Sequence, residues 1–128
     1  MRRLLLIGLL LTVAGCVPPE PPGRKYLVFF EDWSAQLDDA GKTTIGQAAF
    51  QAKAMPAAVV LVAGFATPEG TPQANRDMSR LRAQVVTDAL VEAGIPRSRI
   101  ALRARGSVGF VDSAQESRRV EVSVGTPQ

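Results

Sequence analysis

The sequence predicts an α+β fold, a two-layer sandwich in the order β-α-β-α-β-β, with a mixed four-stranded sheet and two helices on one face. Three observations carry that expectation. Short β-rich runs alternate with longer segments of helical apolar period. The second helical segment opens on Thr71-Pro72 and closes at Gly94. Two alternating strands joined by a glycine-bearing loop then finish the chain.

In chain order, residues 26–30 form a first short apolar and β-branched run, bounded by Glu31-Asp32. Asp38 or Asp39 caps the helix that follows. Its inward face runs through Ile45, Ala48 or Ala49, Ala52 and Met55, and Pro56 stops it. Gly41 and Gly46 each cost that helix about 1 kcal/mol against alanine, so it relies on tertiary packing. Residues 57–65 are continuously apolar around Val59-Val60-Leu61-Val62, as a central strand buried on both faces requires. After a turn at 67–71, Thr71 caps the second helix and Pro72 takes its first position; Gly94 supplies the C′ glycine. Met78, Leu81, Val85 and Ala89 make one stripe of this helix, with Val86 and Leu90 beside it. Residues 99–105 and 119–124 complete the sheet: Ile100, Leu102 and Ala104 share one face of the former, and Val120, Val122 and Val124 one face of the latter.

Residues 1–15 read as a signal peptide, with Arg2 and Arg3 as the positive start, an apolar core at 4–13, and small residues Ala14 and Gly15 before Cys16. The run falls short of the ~20 apolar residues that span a bilayer. Residues 16–25 hold the cysteine and a proline-rich linker in polyproline II, rising ~3.1 Å per residue, which keeps the domain at 26–124 near the membrane; 125–128 is a tail. Without Arg2 and Arg3 the fifteen cationic residues fall to thirteen against twelve acidic, a net charge of about +1. That balance, with few aromatics, gives no reason to expect a nucleic-acid partner. One cysteine and no histidine exclude an internal disulfide and leave the usual transition-metal ligand sets unavailable. With no acid pair or nucleophile–base arrangement in view, neither an enzyme nor a cofactor is expected.

Two resemblances add to this. Leu11-Thr12-Val13-Ala14-Gly15-Cys16 resembles a bacterial lipobox, which implies that Cys16 is acylated, palmitate included, and becomes the mature N-terminus. Val17, where the enterobacterial inner-membrane signal has aspartate, implies the outer membrane, with the domain facing the periplasm. The domain itself resembles the OmpA-like peptidoglycan-binding family. The resemblance rests on Trp33-Ser34-Ala35-Gln36-Leu37, Gly64-Phe65-Ala66-Thr67, Asn75 through Ala83 (N-x-x-L-S-x-x-R-A), Gly94 through Ile100, and Ser117-Arg118-Arg119-Val120-Glu121-Val122.

That family's ligand is the zwitterionic diaminopimelate of the peptidoglycan stem peptide. The resemblance implies that Arg82 takes its carboxylate by a charge-assisted pair, while a carboxylate at the end of the second strand takes its ammonium. Independently, Asn75, Ser79 and Arg82 follow i, i+4, i+7 and share one polar strip of the helix. The family's aspartate position holds Thr67, whose hydroxyl cannot neutralise an ammonium, so peptidoglycan binding is expected to be weakened. Glu69 in the same loop is the one candidate to replace it, although an exposed loop glutamate is the simpler reading. Ser117 for asparagine is a milder departure. The alternative function is a degenerate domain serving as a structural or protein-interaction subunit of a cell-envelope complex.

Overall fold

The computed structural model describes residues 23–108 and 114–125. The leader, Cys16, the proline run and residues 126–128 lie outside them.

Strand β1 (Lys25–Phe29) sends Tyr26 and Val28, with Phe30 just beyond it, to the buried side, and leaves Leu27 and Phe29 on the other. Helix α1 (Asp39–Ala54) starts at Asp38, whose Oδ1 accepts from the Gly41 N–H at 2.6 Å; Asp38 is thus the cap. The helix buries Gly41, Ile45, Ala48, Ala49 and Ala52, and Met55 follows as its half-exposed C-cap. Strand β2 (Val59–Ala66) leads through an exposed turn to helix α2 (Pro72–Glu92). Thr71 Oγ1 accepts from the Ala74 N–H at 3.1 Å, with Pro72 at the first position as expected. At the far end Gly94, with φ +99°, completes a Schellman closure: its N–H donates to Val91 O and that of Ile95 to Leu90 O. A 3₁₀ turn (Arg97–Arg99) enters strand β3 (Ile100–Ser107). A single helical turn, α3 (Ala114–Ser117), stands within what the sequence predicts as loop, before strand β4 (Arg119–Gly125).

The sheet order is β1-β4-β2-β3, with β4 antiparallel to both neighbours and β2 parallel to β3. The register aligns Tyr26, Val60, Val62, Val120, Val122 and Val124 on one face, where both helices pack, so the predicted α+β two-layer sandwich is the observed one. The parallel pair follows from the crossover through α2.

One element departs from expectation. The buried face of α2 is Asn75, Ser79, Arg82, Ala83, Val86, Thr87 and Leu90, while Leu81 is 47% exposed and Met78, Val85 and Ala89 are only partly buried. The cause is a close approach between helix and sheet. A Cβ at Gly64 would lie 2.0 Å from the Ser79 carbonyl oxygen and 3.1 Å from Ala83 Cβ, so only small side chains fit at the crossing. The stripe of large apolar residues is displaced to the flank.

Because the obstacle at Gly64 is main chain, Gly64→Ala forces strand and helix apart. The expected loss is about 3 kcal/mol, the upper end for overpacking, read as a fall in the urea midpoint at unchanged m-value. An unchanged midpoint would show that the contact yields freely.

Candidate functional site

At the end of the sheet where β1 runs into α1 and β2 into α2, the two connecting loops meet. The polar strip of α2 points there, and its three members have different fates. Ser79 is fully buried and its hydroxyl is consumed: Oγ donates to Arg76 O at 2.9 Å and accepts from the Gly106 N–H at 3.0 Å, tying α2 to the end of β3. Asn75 is 2% exposed, and Thr67, immediately after β2, is 5% exposed. Glu69 lies exposed in the β2–α2 turn.

Arg82 crosses from α2 to the β1–α1 loop and is 2% exposed. Its Nε donates to Ser34 O at 2.8 Å, one Nη to Glu31 O at 3.0 Å, and the other to Phe65 O at 3.5 Å. The guanidinium carbon stands 5.4 Å from the centroid of the Phe30 ring. Among the described residues no carboxylate lies within ion-pair distance of it. Burial first, and the neighbouring Arg118 second, lower its pKa to about 10, with Asp32 pulling the other way. The charged form is thus disfavoured by folding at any pH below about 10, a cost relieved only as pH rises above that value. At neutral pH the group is still cationic.

Three residues of this end were not singled out from the sequence. Arg118 donates from Nε to Phe30 O at 3.1 Å, which brings a second cation to the Arg82 neighbourhood. Asp32, exposed, is the carboxylate whose field reaches Arg82. Trp33 is 54% exposed and has φ +49°, a left-handed backbone that costs an L residue about 1–2 kcal/mol. The Arg82 bonds to Glu31 O and Ser34 O bracket it. Trp33 and Arg118 lie in segments that carry the family resemblance, but their roles at this end come from contacts distant in sequence.

Chemically, the arrangement is a positive centre with the uncharged Asn75 and Thr67 at the same end and the exposed Asp32 outside them. Two of the guanidinium's five N–H groups are not taken by the described carbonyls, and Arg118 adds to the field, so a carboxylate suits the interior. No group of three histidine, cysteine, aspartate or glutamate residues suited to a metal occurs among the described residues.

The model of the OmpA family matches residues 29–122. The chain is 31% identical over 103 residues to "Probable lipoprotein YiaD" of Escherichia coli K12, and 30% identical over 115 residues to "Outer membrane protein A" of Serratia odorifera. Each match covers 76% of this chain and 47% of the relative, so the chain spans about half the length of the curated relatives it matches. In structure it is similar to the peptidoglycan-associated lipoprotein of Burkholderia pseudomallei, with a TM-score of 0.71 and 23% identity over 77% of this chain and 89% of that one.

The carbonyl bonds of Arg82 fasten a loop that has few other ties. Arg82→Met, which keeps the stem and removes the donors, is expected to cost about 2 kcal/mol net, the charged hydrogen bonds outweighing the relief of desolvation. Urea denaturation reads the loss, and amide exchange at Ser34 and Gln36 reads the loosened loop. A more stable variant would mean that burial of the charge dominates.

Proposed function

The chain is a member of the OmpA family, and on that footing we propose that it is a cell-envelope lipoprotein, anchored at the outer membrane by lipid on Cys16, whose domain associates non-covalently with peptidoglycan through the diaminopimelate of the stem peptide. The observation that carries the ligand half is the buried Arg82 guanidinium, beside Arg118, with no carboxylate of the described residues at ion-pair distance. A guest carboxylate is the counter-charge such a centre lacks. The lipoprotein among the sequence relatives and the peptidoglycan-associated lipoprotein among the structural ones support the same reading. No catalytic step is assigned.

Association is expected to be weak. Thr67 offers no negative charge, and loss of one partner of a desolvated pair costs about 2–5 kcal/mol. Lipid tethering offsets this by raising the local concentration of the wall, provided the linker reaches it. A second reading, a structural or protein-interaction subunit without wall binding, is favoured by the carbonyl bonds that already hold Arg82 and by the outward-facing Leu27 and Phe29, 41% and 37% exposed on the open side of the sheet.

Co-sedimentation of the leaderless domain with purified sacculi separates the two. The wild type is expected to pellet partially, Arg82→Lys at least fivefold less, and Thr67→Asp about tenfold more, a gain of about 1.4 kcal/mol. A folded protein that stays in the supernatant at every salt concentration leaves only the subunit reading.

Anchoring is tested separately. Full-length protein expressed in a Gram-negative host is expected to incorporate labelled palmitate and to fractionate with the outer membrane, and Cys16→Ser to abolish both. Label retained in that variant would overturn the assignment of the anchor.

A further inference from the structure

Trp33 is the only tryptophan of the chain and stands more than half exposed at the rim of the site. Its backbone is in the left-handed region, at φ +49°, where bulky L residues are rare. The conformation is over-determined. Arg82 bonds the carbonyls of Glu31 and Ser34 on either side, the Ser34 N–H donates to Glu31 O at 3.2 Å, and Ser34 Oγ accepts from the Gln36 N–H at 3.0 Å.

From the facing loop, Gly70 receives the indole edge. A Cβ there would lie 3.0 Å from Trp33 Cη2 and 3.6 Å from Cζ2, and 3.9 Å from Asn75 Oδ1. Gly70 is itself left-handed, at φ +87°. A strained Trp33 backbone, met by a glycine that takes its left-handed φ without strain, thus presents a large aromatic surface to solvent instead of packing it. Core packing gives no reason for that arrangement; contact with a guest does.

The charges around the indole indicate which part of a guest it meets. Arg82, which bonds the carbonyls on either side of Trp33, and Arg118, which bonds Phe30 O, suit a carboxylate. Asp32, next in sequence and exposed, makes the outer rim negative. Asn75 and Thr67, both nearly buried, bring uncharged polar side chains to the same end. Thr67 brings no charge to an ammonium, whereas an electron-rich indole face attracts one directly.

We propose that the Trp33 indole is the ammonium-binding surface of this site, taking a primary ammonium of the wall peptide by cation–π attraction where Thr67 provides no carboxylate. Arg82 acts there as a positioning residue that holds the Trp33 backbone. This inference rests on the peptidoglycan reading above.

Because Trp33 is the sole tryptophan, its fluorescence reports the contact directly. The leaderless domain, whose core lies wholly within residues 26–124, is titrated with muropeptides from diaminopimelate-containing sacculi, native and with their free amines acetylated. Saturable change in emission is expected with the native fragments, with affinity falling at least fivefold on acetylation. Trp33→Leu, followed by sedimentation, is expected to bind native fragments at least fivefold more weakly and to be indifferent to acetylation. Trp33→Phe, which keeps an aromatic face, is expected to lose no more than about threefold; thermal melts confirm that both variants fold. Sedimentation of the wild type with unchanged emission, or an acetylation effect of equal size in wild type and Trp33→Leu, overturns the inference and leaves peptidoglycan binding standing. Failure of the wild type to bind sacculi or fragments overturns both.

Discussion

A guanidinium held among main-chain carbonyls, with no carboxylate of the described residues to answer it, governs the loop end of this domain. A fully ionic partner would satisfy Arg82 at one point. Carbonyls carry partial charges, so several must converge, and they come from three places: Glu31 and Ser34 in the β1–α1 loop and Phe65 near the end of β2. Their convergence fastens a helix, a strand and a loop at one centre. The opposite end of the molecule uses the same device more cheaply. Arg99 donates to the carbonyls of Ala52, Met55 and Ala58 at the C-terminus of α1, where the helix dipole favours a cation and the group is less buried.

That centre exists because α2 lies unusually close to the sheet. Gly64 against the Ser79 carbonyl brings the helix down until Ser79 and Ala83 fill the interval, and a residue one turn further along must be either small or long enough to leave the crossing altogether. Arg82 does the latter. Its aliphatic stem passes over the buried layer, and its head emerges among the loop carbonyls beside Phe30. The close approach, the polar strip and the clamped loop are therefore one packing solution.

Much of the fold was legible because it is written in local chemistry. The Asp38-Asp39 pair, Thr71-Pro72 and Gly94 mark helix ends, the structure choosing Asp38 as the first cap, and the β-branched run through Val59-Val60-Leu61-Val62, flanked by Pro56 and Gly64, favours an interior strand. The face of α2 was not legible in this way. Hydrophobic period favours Leu81, but the separation between helix and sheet decides, and that separation is set by Gly64, fifteen residues or more upstream of Ser79 and Arg82. At the site, the spacing of Asn75, Ser79 and Arg82 correctly places them on one face. It does not reveal that Ser79 is spent on Gly106, or that Arg82 has main-chain partners. A carbonyl that accepts a long-range hydrogen bond has no residue type, so sequence cannot announce it. Trp33 escaped for a related reason: nothing in its side chain predicts a left-handed backbone, which here is imposed from Arg82, forty-nine positions away.

Thr67 and Trp33 are linked through the same centre. Thr67 stands two residues beyond the carbonyl that accepts from Arg82 on the β2 side. The guanidinium keeps two N–H groups that the described carbonyls do not take, so a guest carboxylate is met without displacing the bonds that bracket Trp33. Those bonds persist beside a threonine, and the indole stays against Gly70. An acid restored at position 67 adds charge on the β2 side of the same centre, and the indole then shares the ammonium instead of meeting it alone.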